Sequence, residues 1–126
     1  MNDRSTSARA VLALDAIGCA VAAAAAASCP AVTRPMDASP RVRWLIASTL
    51  ALTSMLCANG ARIPQPSAAN LTAASALNGS WVATCLVALP RQNRRLGRVL
   101  VATTAACDAV VGSLQWSLRP HRELTP

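Results

Sequence analysis

Two aspartates lie inside stretches of this 126-residue chain that otherwise carry no charge: Asp15 in the run 10–28 and Asp108 in the run 99–118. A carboxyl group in apolar surroundings needs a hydrogen-bonding partner or a water-filled cavity. It can relay protons or bind a cation, or it can be a neutral acid whose hydrogen bonds fix helix packing. Packing is the preferred interpretation for Asp15, which lies near the end of its run, and both interpretations stay open for Asp108.

Small and polar residues share one face at helical spacing on three predicted helices. These faces comprise Asp15, Gly18, Cys19 and Ala22; Asn70, Ala74, Asn78 and Cys85; and Thr104, Asp108, Gly112 and Gln115. We expect the three faces to meet, either as polar contacts that hold helices together, which is the preferred interpretation, or as a transport path. The candidate site comprises Asp15, Asn78, Asp108 and Gln115. The predicted partners of Asp108 are Thr104, Asn78 and Gln115.

The other reactive side chains form no pattern that indicates catalysis or metal binding. The single histidine, His121, lies in the C-terminal tail, and no two cysteines form a C-x-x-C pair. We therefore expect no catalytic residue, no metal site and no cofactor, and a protein that is not an enzyme. Small buried hydrophobic residues are the expected role of the five cysteines, Cys19, Cys29, Cys57, Cys85 and Cys107.

The distribution of charge predicts the elements that must position these residues. No charged residue occurs between Arg62 and Arg91, and three other apolar stretches are likewise bordered by arginines. Only 13% of all residues are charged, whereas about a quarter is usual in soluble domains. Bilayers favour this arrangement because charges are costly in the hydrocarbon core and tolerated at the headgroups. The sequence predicts an all-α, antiparallel four-helix transmembrane bundle. The bundle forms one membrane domain over 1–126, and its spans are predicted at about 10–28, 42–59, 68–89 and 98–118.

Prolines and a glycine mark the expected ends of these spans. The first helix should stop at Cys29-Pro30, the second at Asn59-Gly60, and Pro90 should close the third. An alternative makes the first segment a cleaved signal peptide, with an Ala-Ala-Ser cleavage site. Asp15 interrupts its apolar run, so a retained span is preferred.

The net charge of +7 predicts contact with anionic lipid headgroups at the arginine clusters. Nucleic acid is not expected, because no aromatic residues alternate with the arginines. The predicted spans leave a first loop over residues 30–43 (loop 1) and a third loop over residues 91–98 (loop 3). These two loops contain seven arginines (Arg34, Arg41, Arg43, Arg91, Arg94, Arg95 and Arg98), and five lie on the opposite side (Arg4, Arg9, Arg62, Arg119 and Arg122). This excess weakly favours loops 1 and 3 on the cytoplasmic side of a multi-pass cell-membrane protein.

Three segments carry a resemblance to known proteins: 12–16 (LALDA), 76–82 (ALNGSWV) and 109–115 (AVVGSLQ). They resemble a group of small four-helix integral membrane proteins from GC-rich bacteria that are DoxX-like in size and layout. The resemblance implies a four-helix membrane fold and no particular activity. It marks Asp15, Asn78, Trp81 and Gln115 as the recurrent polar and aromatic positions, while Asp108 is not part of the pattern.

Two functions follow as expectations. The first is a non-enzymatic membrane scaffold or accessory subunit that packs with another membrane protein or with copies of itself. The second is a small proton-coupled transporter that uses Asp108, together with Asp15.

Overall fold

A computed structural model describes residues 3–120 of the chain. Four long helices account for most of this range: α1 (Asp3–Ser28), α3 (Pro40–Arg62), α4 (Ala68–Ala88) and α5 (Arg95–Ser117). A short helix, α2 (Pro30–Thr33), and two 3-10 turns, Arg34–Met36 and Leu89–Arg91, lie in the connections. Within the described range there is no strand, and the prediction of an all-α bundle is confirmed. The tail residues His121 and Arg122 lie outside the described residues.

The helices are longer at several ends than the sequence predicts. α1 begins at Asp3 rather than at residue 10. Its first turns pack beside the end of α3, where the Arg9 Nε donates a hydrogen bond to the Ala61 carbonyl oxygen at 3.0 Å. The predicted stop at Asn59-Gly60 is wrong, because α3 continues to Arg62. Gly60 is buried in tight contact with Leu12 of α1, so packing overrides its tendency to end a helix.

Four other helix ends follow local sequence signals. α1 stops at Ser28, directly before Cys29-Pro30, as predicted. Ser39 caps α3 by accepting a hydrogen bond from the backbone amide of Val42, and Ser67 caps α4 in the same manner. The chain leaves the α-helical conformation at the end of α4 through the 3-10 turn that contains Pro90.

The four long helices form two antiparallel pairs, α1 with α3 and α4 with α5. In the first pair, the Ser54 hydroxyl donates to the Ala16 carbonyl oxygen at 2.7 Å. In the second pair, the Ser75 hydroxyl donates to the Gly112 carbonyl oxygen at 2.9 Å, and Cys85 packs with Val101 and Ala105 further along. Within each pair, residues later in one helix contact residues earlier in the other, which confirms the antiparallel arrangement.

The distribution of side chains inside and outside the bundle is compatible with a membrane protein. The buried apolar residues are few and mostly small, whereas large ones such as Leu14, Leu45 and Leu52 are about 70% exposed. Each of the four long helices is long and apolar enough to cross a membrane. The structure is therefore compatible with a small multi-pass membrane protein whose leucines and valines face lipid.

The two basic connections meet at one end of the bundle. Asp37, in the left-handed conformation, forms an ion pair with Arg94 at 3.3 Å. Gly97 at the start of α5 lies so close to the Pro35 carbonyl oxygen that any Cβ there would collide with it. These contacts place loops 1 and 3 on the same side, opposite the end that carries Arg62.

Candidate functional site

The carboxylate of Asp15 lies inside the bundle and accepts hydrogen bonds from Asn78 and Gln115, the two amide residues of the predicted site. Gln115 Nε2 donates to Asp15 Oδ2 at 2.6 Å, and Asn78 Nδ2 donates to the same oxygen at 2.9 Å. The two amides also bond to each other, since Asn78 Nδ2 donates to Gln115 Oε1 at 3.0 Å. Gln115 is fully buried and Asn78 nearly so. Three of the four predicted site residues are thus brought together in one network.

Two thiols complete the surroundings of this carboxylate. Cys57 donates to Asp15 Oδ2 at 3.4 Å, and Cys19, one turn further along α1, donates to Oδ1 at 3.6 Å. With Cys57, each of the four long helices contributes a side chain. We call Asp15, Cys19, Cys57, Asn78 and Gln115 the polar junction.

Small residues allow these polar side chains to approach one another. Gly112 of α5 is buried against Asn78, where a Cβ would lie 3.2 Å from the Asn78 Cβ. Ala16 and Ala74 are buried in the adjacent core with Leu12 and Leu71. Close backbone contact at such residues is how membrane helices bring short polar groups within hydrogen-bonding distance.

The chemistry available to the polar junction follows from its donors. The Asp15 carboxyl group receives four hydrogen bonds from the surrounding side chains, three at Oδ2 and one at Oδ1. A carboxylate satisfied in this way stabilises the packing of the helices that supply its donors. The arrangement is suited to holding four helices together.

Asp108 lies outside the polar junction, and its predicted hydrogen bonds are wrong. Asn78 and Gln115 bond to Asp15 instead, and Thr104 is exposed. Asp108 and Gln115 share a helix face, but seven residues separate them by about 10 Å along the helix axis. The Oδ2 atom of Asp108 is buried and has no hydrogen-bond partner among the described residues.

Asp108 borders two cavities. One is an open groove of about 380 Å³ between α4 and α5, which we call the α4–α5 groove; it is lined by Ser75, Gly79, Val82, Asp108, Ala109, Gly112, Ser113 and Trp116. The other is a cavity of about 30 Å³ inside the bundle, where Asp108 meets Asn78, Cys19 and Trp81. Asp108 therefore lines both the α4–α5 groove and the small cavity that Asn78 and Cys19 of the polar junction also border.

Sequence reasoning missed the cysteines of the polar junction. It treated Cys19 and Cys57 as small hydrophobic residues and identified no polar face on α3. The available signal was the spacing of Thr53, Cys57 and Gly60, which are all buried on one face of that helix. Within residues 3–120, no group of three or more histidine, cysteine, aspartate or glutamate side chains is arranged to hold a metal ion.

Comparisons of this chain with protein-family models, with curated proteins and with solved structures give no match.

Proposed function

We propose that this protein is a non-enzymatic integral membrane protein that acts as a scaffold or accessory subunit. The observation that carries the proposal is the polar junction, in which donors from α3, α4 and α5 converge on the Asp15 carboxylate of α1. Its polar groups are engaged with one another, which supports a role in fixing the helices.

A flux experiment tests this proposal. The purified chain is reconstituted into liposomes that contain a pH-sensitive dye, and a pH gradient is imposed across the membrane. A scaffold should dissipate the gradient no faster than protein-free liposomes. Proton flux that depends on the protein would contradict the proposal and favour the second candidate function.

The second candidate is a small proton-coupled transporter. It is favoured by Asp108, whose buried Oδ2 has no partner among the described residues and whose side chain borders both the α4–α5 groove and the inner cavity. An acid that borders two cavities near the middle of a membrane helix is suited to exchanging protons with both.

The same liposomes test the transporter with two matched substitutions. Asp108→Asn should abolish the pH-dependent flux of a transporter while the helical circular dichroism spectrum is retained. Asp37→Asn, which removes an exposed acid in loop 1, should leave the flux unchanged. Intact flux in Asp108→Asn would remove Asp108 from the transport mechanism.

Three further points stay predictions. Anionic headgroups are expected at the arginine clusters, where loops 1 and 3 meet. Self-association or association with another membrane protein is expected for a scaffold. The resemblance to small four-helix membrane proteins of GC-rich bacteria rests on the segments around Asp15, Asn78 and Gln115.

A further inference from the structure

We infer that the α4–α5 groove binds a small hydrophobic molecule that carries a protonated amine. This site goes beyond the packing role proposed for the polar junction, and it does not require that the ligand be carried across the membrane. The inference rests on the shape of the groove, the nature of its walls and the single carboxylate in its lining.

The groove is open and has room for a small ligand. Its volume of about 380 Å³ falls within the range of about 300–1,000 Å³ that is usual for small-molecule sites. Gly79, Ser113 and Trp116 are exposed on its walls, so the groove opens on the outer surface of the bundle. Asp108 lies near the middle of α5, so a ligand would enter from the hydrocarbon region.

The lining determines which chemistry fits. Val82, Ala109 and Trp116 make apolar walls, and Asp108 is the only ionisable residue among the lining residues. The Asp108 carboxyl group borders the groove, and a primary ammonium offers three donors and the opposite charge. Such a ligand would pair with the carboxylate while its apolar part covers the walls.

The arginines of the chain itself are poorly placed to supply this positive charge. Within the described residues they lie in the connections or in the first two turns or last turn of a long helix. Arg119 lies over the Trp116 ring, 3.1 Å from its centroid, beyond the end of α5. The described part of a second copy would bring no arginine to the depth of Asp108, which favours a separate small amine.

Isothermal titration of the full chain in phosphatidylcholine nanodiscs tests the site. The probe is 2-phenylethylamine, its uncharged analogue is 2-phenylethanol, and empty nanodiscs give the partitioning into lipid. We expect saturable binding of the amine and at least about tenfold weaker binding of the alcohol, as for loss of a charge-assisted hydrogen bond. Equal affinities for the two compounds, or heats no larger than those of empty nanodiscs, would overturn the proposal.

Two substitutions locate the site, and a third controls for them. Asp108→Asn should weaken amine binding at least about tenfold. Gly79→Leu should abolish binding by filling the groove, because a Cβ at Gly79 meets no atom within 4 Å and the leucine can enter open space. Gly18→Leu is the matched control, since Gly18 is equally open but lies on α1 outside the groove.

The outcomes separate this proposal from the others. Amine binding that is lost in Gly79→Leu and kept in Gly18→Leu supports the groove even if no proton flux is found. Binding that survives both Asp108→Asn and Gly79→Leu would overturn the site. Neither result bears on the stability of the polar junction, which is measured separately by unfolding.

Discussion

Replacement of Asn78 by leucine should destabilise the bundle by removing the amide that links two partners in the polar junction. Asn78 Nδ2 donates to Asp15 Oδ2 at 2.9 Å and to Gln115 Oε1 at 3.0 Å. Hydrogen bonds between membrane helices contribute about 0.6 kcal/mol each on average and about 1.7 kcal/mol at most. Loss of both bonds should therefore lower the free energy of unfolding by about 1–3 kcal/mol. Leucine keeps the branching at Cγ, so the change in shape is small.

The measurement is unfolding in dodecylmaltoside micelles titrated with sodium dodecyl sulfate, followed by circular dichroism. Asn59→Leu is the control, because Asn59 is exposed on α3, and this substitution should change the free energy of unfolding by less than about 0.5 kcal/mol. The reasoning would be refuted if Asn78→Leu unfolded at the same detergent fraction as the unaltered protein and the control.

Two further predictions concern topology and packing. Single cysteines that replace Arg34, Arg62 or Arg94 in a cysteine-free background can be labelled with an impermeant maleimide. The cysteines at positions 34 and 94 should react from one side of the membrane, and the cysteine at position 62 should react from the other. Labelling of all three from one side would contradict four spans. Gly97→Ala should lower the free energy of unfolding by about 1–3 kcal/mol, because the added Cβ meets a loop carbonyl oxygen. Gly18→Ala, at an open position inside α1, should raise the free energy of unfolding by up to about 1 kcal/mol in the same titration. The packing argument would be refuted if Gly97→Ala were as stable as Gly18→Ala.

The sequence predicted the helices well because the physical signal repeats over many residues. The runs without charge indicate four long helices, and prolines or capping serines mark four of their eight ends. Gly60 was misinterpreted as a helix stop because its role depends on contact with Leu12 of another helix. Such a contact between helices leaves no local mark in the sequence.

The candidate site was predictable only in part for a related reason. Helical spacing places Asp108 and Gln115 on one face, but not at one depth. Which acid meets the amides depends on how far α1 and α5 slide past each other, and the structure places Asp15 beside Gln115. Cys57 was missed because a thiol donor and a small hydrophobic residue look alike in sequence.

The central claim is that the polar junction holds the helices together through the Asp15 carboxylate. A double-mutant cycle of Asp15→Ala and Gln115→Ala tests it most directly, with the free energy of unfolding measured in mixed micelles. The 2.6 Å bond between these side chains predicts a favourable coupling of about 1 kcal/mol, within the range for such bonds in membranes. Two substitutions whose effects simply add, with coupling below about 0.3 kcal/mol, would contradict the claim.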